Sequence, residues 1–285
     1  MTKKKLTFLF TLLLATACLS VTTYAQGGGD KKQKDVEVKV PSGIDHSAFD
    51  RLLKKHVDEK GLVNYSAWKN SEDDMEALDG YLKQFAPKAD KPAEGMEKAA
   101  SLTNAYNAIA IRTVLNAYPI ESIHELEKPF EAKNWTIGAA KVSLNDIENG
   151  TLRPQLKYRA HSVLVCAARS CPPLQRTAYK ADSFEEQSDA AYTTWLARED
   201  LNQFMPKENE AKISEVFKWF KGDFDKSLTV PKVIAQYGPP PANELTKGGD
   251  KFEVGYLSYN WGVNDQGEHG RNYSKVNLIF DKLGD

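Results

Sequence analysis

The chain has 285 residues, with 38 Lys and Arg against 39 Asp and Glu, a formal net charge of −1, and 41% apolar side chains. That length and mix can bury a sizeable core, which excludes a disordered or fibrous chain. The balanced charge excludes the basic excess with which nucleic-acid binders neutralise phosphate, so no nucleic acid is expected as a partner.

Residues 1–25 read as an export signal. Lys3, Lys4 and Lys5 form a positive start, an apolar run follows over 6–19, and Thr23-Tyr24-Ala25 offers small residues at −3 and −1 of a cut before Gln26. The run is shorter than the roughly 20 residues that span a bilayer, so no transmembrane segment is expected after its removal. The expected destination is periplasmic or secreted. Lipid attachment at Cys18 is the lesser alternative, because Ala15 stands where that motif takes Leu. Cleavage leaves 35 basic against 39 acidic groups and two cysteines, Cys166 and Cys171.

Next comes a Gly- and Lys-rich tether over 26–43. Phe49, Leu52, Leu53 and Val57 predict a helix over 46–57, and Met75, Leu78, Leu82 and Phe85 predict a second over 66–86. The segment 96–117 is apolar on nearly all sides and predicts a central buried helix ended by Pro119. A hairpin over 135–144 turns at Gly138, and a short helix begun at Ser143 is stopped by Gly150. The apolar HSVLVC at 161–166 predicts a strand. Helices are expected over 183–197 and 213–220, a loop over 238–250, and late strands in VGYLSYNW and KVNLIF. The expectation is a mostly helical α+β fold, a single domain over 44–265 with a small sheet, then a C-terminal extension over 266–285.

The densest candidate chemistry lies in HSVLVCAARSCPPLQR at 161–176. Cys166 and Cys171 flank a short loop stiffened by two prolines. A structural disulfide is one reading, contributing only about 2 kcal/mol through so small a loop. A thiol nucleophile is the second, which needs a thiolate beside an imidazole, a cation or a helix N-terminus. In a regular strand His161 and Cys166 would face opposite ways, roughly 16 Å apart, so Cys171 folding back or meeting His124 or His56 is the better pairing. A redox or metal pair is the third; the C-x4-C spacing matches neither a thioredoxin-like nor a zinc site. No metal or cofactor is therefore expected. Asn104 and Asn107 share a face of the central helix, where buried amides either tie down a loop or orient a reacting group. Asp146 and Glu148 fall on different helix faces and do not suggest a carboxylate pair.

With these residues in place, the chain resembles the DUF547 family, a domain of unknown function. The matching segments are GLVNYSAW at 61–68, NAYNAIAI at 104–111, VSLNDIENGTLRP at 142–154, RAHSVLVCAARSCPPLQRTAY at 159–179, ISEVFKWFKGDF at 213–224 and YLSYNWGVN at 256–264. The resemblance places His161, Cys166, Cys171, Asn104 and Asn107 in signature blocks and implies no settled activity. One departure is Ser101-Leu102-Thr103, where relatives carry an aromatic-rich segment. The functional expectation is a thiol-dependent hydrolase or transferase using Cys171 or Cys166, His161, Asn104 and Asn107. The alternatives are a non-catalytic envelope module with a structural Cys166–Cys171 disulfide, or a thiol-redox protein. A small molecule, a peptide or a glycan remains open as the partner.

Overall fold

The computed structural model describes residues 36–273. The proposed signal, Cys18, most of the tether and the KVNLIF segment lie outside the described residues. Helix α1 (Ser47–His56) buries Phe49, Leu52 and Leu53, three of the four residues on the expected stripe. The helix expected over 66–86 is two, α2 (Tyr65–Lys69) and α3 (Glu72–Lys83). The break has a local cause: the Ser71 hydroxyl accepts the Asp74 N–H, and the acidic residues 72–74 favour a fresh N-terminus.

Helix α4 (Gly95–Ala117) is buried without a break from Ala99 to Ile111. Its 23 residues give a rod of about 34 Å on which the rest of the first core packs. Strands β1 (Trp135–Ile137) and β2 (Ala140–Val142) form the expected hairpin, turning at Gly138.

Helix α5 (Leu144–Ile147) is capped by a Ser143–Asp146 box, but Gly150 does not stop it. The chain continues through a π turn over Glu148–Leu152 into α6 (Arg153–Leu156). Gly150 serves a close approach instead: a Cβ there would lie 2.4 Å from the Val36 carbonyl oxygen. Pro154 falls in the first turn of α6, directly after the π turn.

The strand expected over 161–166 is absent. Ala160–Val163 is a helical turn, α7, followed by irregular backbone. Every position there is apolar or buried, so periodicity could not separate helix from strand. The Asn107 amide takes the part of a neighbouring strand, donating to the Val163 carbonyl and accepting the Val165 N–H, both at 2.9 Å.

The second half contains α8 (Phe184–Leu196), β3 (Gln203–Met205), β4 (Glu210–Ser214), α9 (Val216–Trp219), α10 (Lys221–Asp225), α11 (Val230–Tyr237), α12 (Pro240–Thr246) and β5 (Glu253–Leu257). The sheet order is β3-β4-β5, the first pair antiparallel and the second parallel. The helix expected over 213–220 starts only at Val216, because Ile213 and Ser214 pair with Tyr256 and Leu257. The loop expected over 238–250 contains α12, opened by prolines in its first turn. The fold is mostly helical α+β, with a central buried helix and two small sheets. Its buried residues form two clusters, one around α4 and one beneath α8, α11 and the three-stranded sheet. Trp219 and Tyr259 pack against both. No helix among the described residues is long and apolar enough to cross a membrane.

Candidate functional site

Cys166 and Cys171 are joined by a disulfide, with their Cα atoms 6.4 Å apart. The loop they close is pinned to the chain's last described segment. Arg169 N–H donates to the Gly262 carbonyl at 2.7 Å, Ser170 N–H to Asn260 at 3.2 Å, and Asn264 N–H to Ala167 at 3.0 Å. The Arg169 guanidinium also donates to the Asp265 and His269 carbonyls.

The two sulfurs differ. Cys171 is 4% exposed, whereas Cys166 is half-buried. The Cys171 Sγ accepts two hydrogen bonds, from the Cys166 N–H at 3.2 Å and the Tyr259 hydroxyl at 3.1 Å. That hydroxyl also lies 3.4 Å from the Cys166 Sγ. Burial, with the Glu148 and Glu215 carboxylates nearby, pushes the Tyr259 phenol well above its ordinary range, so it stays protonated.

Glu148 opens the π turn and accepts the Tyr106 hydroxyl at 2.9 Å. Such turns recur at functional sites. The Glu148 charge reaches Tyr106, Tyr259 and His161 alike.

His161 is buried and stacked on Phe220, centroids 4.3 Å apart, with Phe224 behind at 5.4 Å. Its Nε2 lies 2.9 Å from the Asp223 Oδ2, which also accepts Arg153 Nε at 2.7 Å. Burial alone would raise the Asp223 carboxyl, but the hydrogen bonds from His161 and Arg153 outweigh it and bring it to about 2. An ionised carboxylate only accepts, so Nε2 carries the proton. Burial pushes the imidazole below its ordinary value, against the pull of Asp223 and Glu148. His161 is therefore neutral at pH 7, with its lone pair on Nδ1.

A second buried pair repeats this design elsewhere: His56 lies 2.9 Å from Asp74 and stacks on Trp68 at 4.6 Å. A buried imidazole held by Asp on an aromatic face is thus one of this fold's packing solutions, and His161 is more than packing only through Glu148. His124, the other candidate base, stands edge-on to Trp261 and Phe130.

Both amides of the central helix are committed to backbone. Asn104 donates to the Tyr179 carbonyl at 2.8 Å and accepts the Tyr179 N–H at 2.9 Å, and Asn107 clamps Val163 and Val165 in the same way. They hold the two ends of 163–179, the segment that carries the cysteines.

Reasoning from the sequence missed Glu148, Tyr106, Asp223, Arg153 and Tyr259. Two signals were available: ENG inside a helix, and the aromatic-flanked Asp of WFKGDF. Among the described residues no three His, Cys, Asp or Glu side chains converge as metal ligands.

No curated protein and no solved structure matches the chain. Residues 92–196 match the family model of DUF547, described as a protein of unknown function. That segment holds Tyr106, Glu148, Arg153, His161 and both cysteines, and over it the chain is similar to the DUF547 family.

Proposed function

We propose that this is an exported thiol–disulfide exchange protein, working through the Cys166–Cys171 pair. The observation that supports it is the polar setting of the bond. A phenol hydroxyl lies within hydrogen-bond reach of both sulfurs, and Cys166 is only partly buried. A hydrolase or transferase using either thiol requires the reduced pair, so exchange is the step that comes first. In this reading Glu148 supplies negative charge beside the neutral His161, while Asn104 and Asn107 position the segment that carries the cysteines. Removal of residues 1–25 by an export pathway would place the pair in an oxidising compartment, where such bonds persist.

A second reading is a structural brace in an envelope module. The hydrogen bonds from 167–170 to 260–264 favour it, because the loop then serves to hold the C-terminal segment. Equilibration of the purified chain with dithiol buffers of defined potential separates the two. Exchange predicts a midpoint above about −300 mV, whereas structural bonds fall below that value. A midpoint lower than about −300 mV would refute the exchange function and establish the brace.

A further inference from the structure

The environment of the two sulfurs is unequal, and we infer that Cys166 is the sulfur attacked by an incoming thiolate while Cys171 is the leaving and resolving sulfur, its thiolate held by the Tyr259 hydroxyl and the Cys166 N–H. This rests on the exchange function proposed above and assigns its roles. A disulfide sulfur is a weak acceptor, so two donors aimed at one do little for the oxidised state. A thiolate is a strong acceptor, and hydrogen bonds to an ionised group are about twice as strong as neutral ones. The 3.1 and 3.2 Å contacts at Cys171 Sγ therefore favour the state in which that sulfur carries the charge. Solvent access points the same way, since Cys171 is 4% exposed and Cys166 half-buried.

The step balances with a dithiol as reductant. Its thiolate attacks Cys166 Sγ, forming a mixed disulfide as the Cys166–Cys171 bond breaks. The bonding pair leaves on Cys171. The dithiol's second sulfur, deprotonated, then attacks the first, releasing the cyclised dithiol disulfide and a Cys166 thiolate. Run in reverse, the Cys171 thiolate resolves a mixed disulfide at Cys166 and delivers the oxidised pair. The substrate class is accordingly any thiol or dithiol slim enough to reach one half-buried sulfur in line with the bond.

Tyr259 is a positioning residue here, and its packing on Trp219 and Trp261 gives it an evident structural use as well. The test must therefore read something that packing does not move. In Y259F the ring remains and only the hydroxyl goes. The Cys171 thiol pKa of the reduced protein, followed by pH-dependent alkylation and peptide mass, should rise. The bond should become about tenfold harder to reduce, which is about 30 mV for a two-electron couple. Mixed-disulfide trapping tests the assignment separately. With oxidised glutathione as the probe, C171S should accumulate the adduct on Cys166, and C166S should form it at least tenfold more slowly on Cys171.

If the wild-type bond resists reduction as a structural bond does, the exchange function itself fails. If the wild-type bond is reducible but C166S is trapped faster than C171S, the function stands and this assignment falls. An unchanged Cys171 pKa in a folded Y259F protein would likewise remove Tyr259 from it.

Discussion

Asn107 offers the sharpest test of how the segment around the cysteines is held. The residue is 2% exposed, and its amide is used twice, donating to the Val163 carbonyl and accepting the Val165 N–H, both at 2.9 Å. Val163 and Val165 are themselves buried, at 0% and 4%. Asn107→Ala therefore orphans one backbone acceptor and one backbone donor where water has little access. Each orphan costs about 1–3 kcal/mol, and the small cavity adds to it, so the expected loss is about 3–5 kcal/mol. Against a total of about 5–15 kcal/mol that is a large fraction. Urea unfolding followed by circular dichroism measures it, and Asn116→Ala is the control. Asn116 lies on the exposed end of the same helix, so its replacement changes helix propensity and an exposed contact with Arg112, within about 0.5 kcal/mol. If Asn107→Ala cost less than about 1 kcal/mol, the amide would not be clamping the segment. The reasoning that gives it a positioning role would then be wrong.

Acid should destabilise the fold in two stages. Burial pushes His161 and His56 below the ordinary imidazole value, so the unfolded chain binds these protons more tightly; stability is full above about 6.5 and declines as pH falls below it, and H161Q should flatten that slope in urea titrations. For Asp223 and Asp74 burial is outweighed by hydrogen bonds that hold each carboxyl at about 2, so their contribution is present above 3.8 and is lost as pH falls through about 2. Gly61→Ala should lower stability by about 1–3 kcal/mol more than Gly43→Ala. Both glycines have φ of 75°, but a Cβ at 61 would lie 2.5 Å from the Leu174 N and one at 43 meets open space. Equal thermal midpoints for the two variants would show that the 61–174 contact carries no load.

The central helix was legible because an all-round apolar run of that length has few other homes, and α4 is buried over 13 consecutive residues. The hairpin at Gly138 and the helix start at Ser143 were legible because turn and cap chemistry is local. HSVLVC was misread because its neighbours are supplied by an amide 58 residues upstream, which satisfies the backbone without a strand. Gly150 was misread for a similar reason: its use is the approach of Val36, 114 residues away in sequence, and not the ending of a helix. Asp146 and Glu148 have separate partners. Asp146 caps its own helix through Ser143, while Glu148, one step into the π turn, meets Tyr106.

The site residues come from five separated stretches, and that separation explains why pattern reading reached the cysteines but not their surroundings. Tyr106 lies on α4, Glu148 and Arg153 on the π turn and α6, the cysteines on a loop, and Asp223 and Tyr259 in the second half of the chain. They meet where the two core clusters join, at a seam lined by Trp219 and Tyr259. A bond at a seam is well placed for reversible chemistry. Closing so small a loop contributes only about 2 kcal/mol, so opening it leaves most of the stability in place. The hydrogen bonds from 167–170 to 260–264 do not depend on the sulfurs. After reduction they still hold Cys166 and Cys171 as neighbours, which keeps the pair at high effective concentration for closing again. The proposed brace and the proposed exchange site therefore draw on the same contacts, and the potential of the bond tells the two proposals apart.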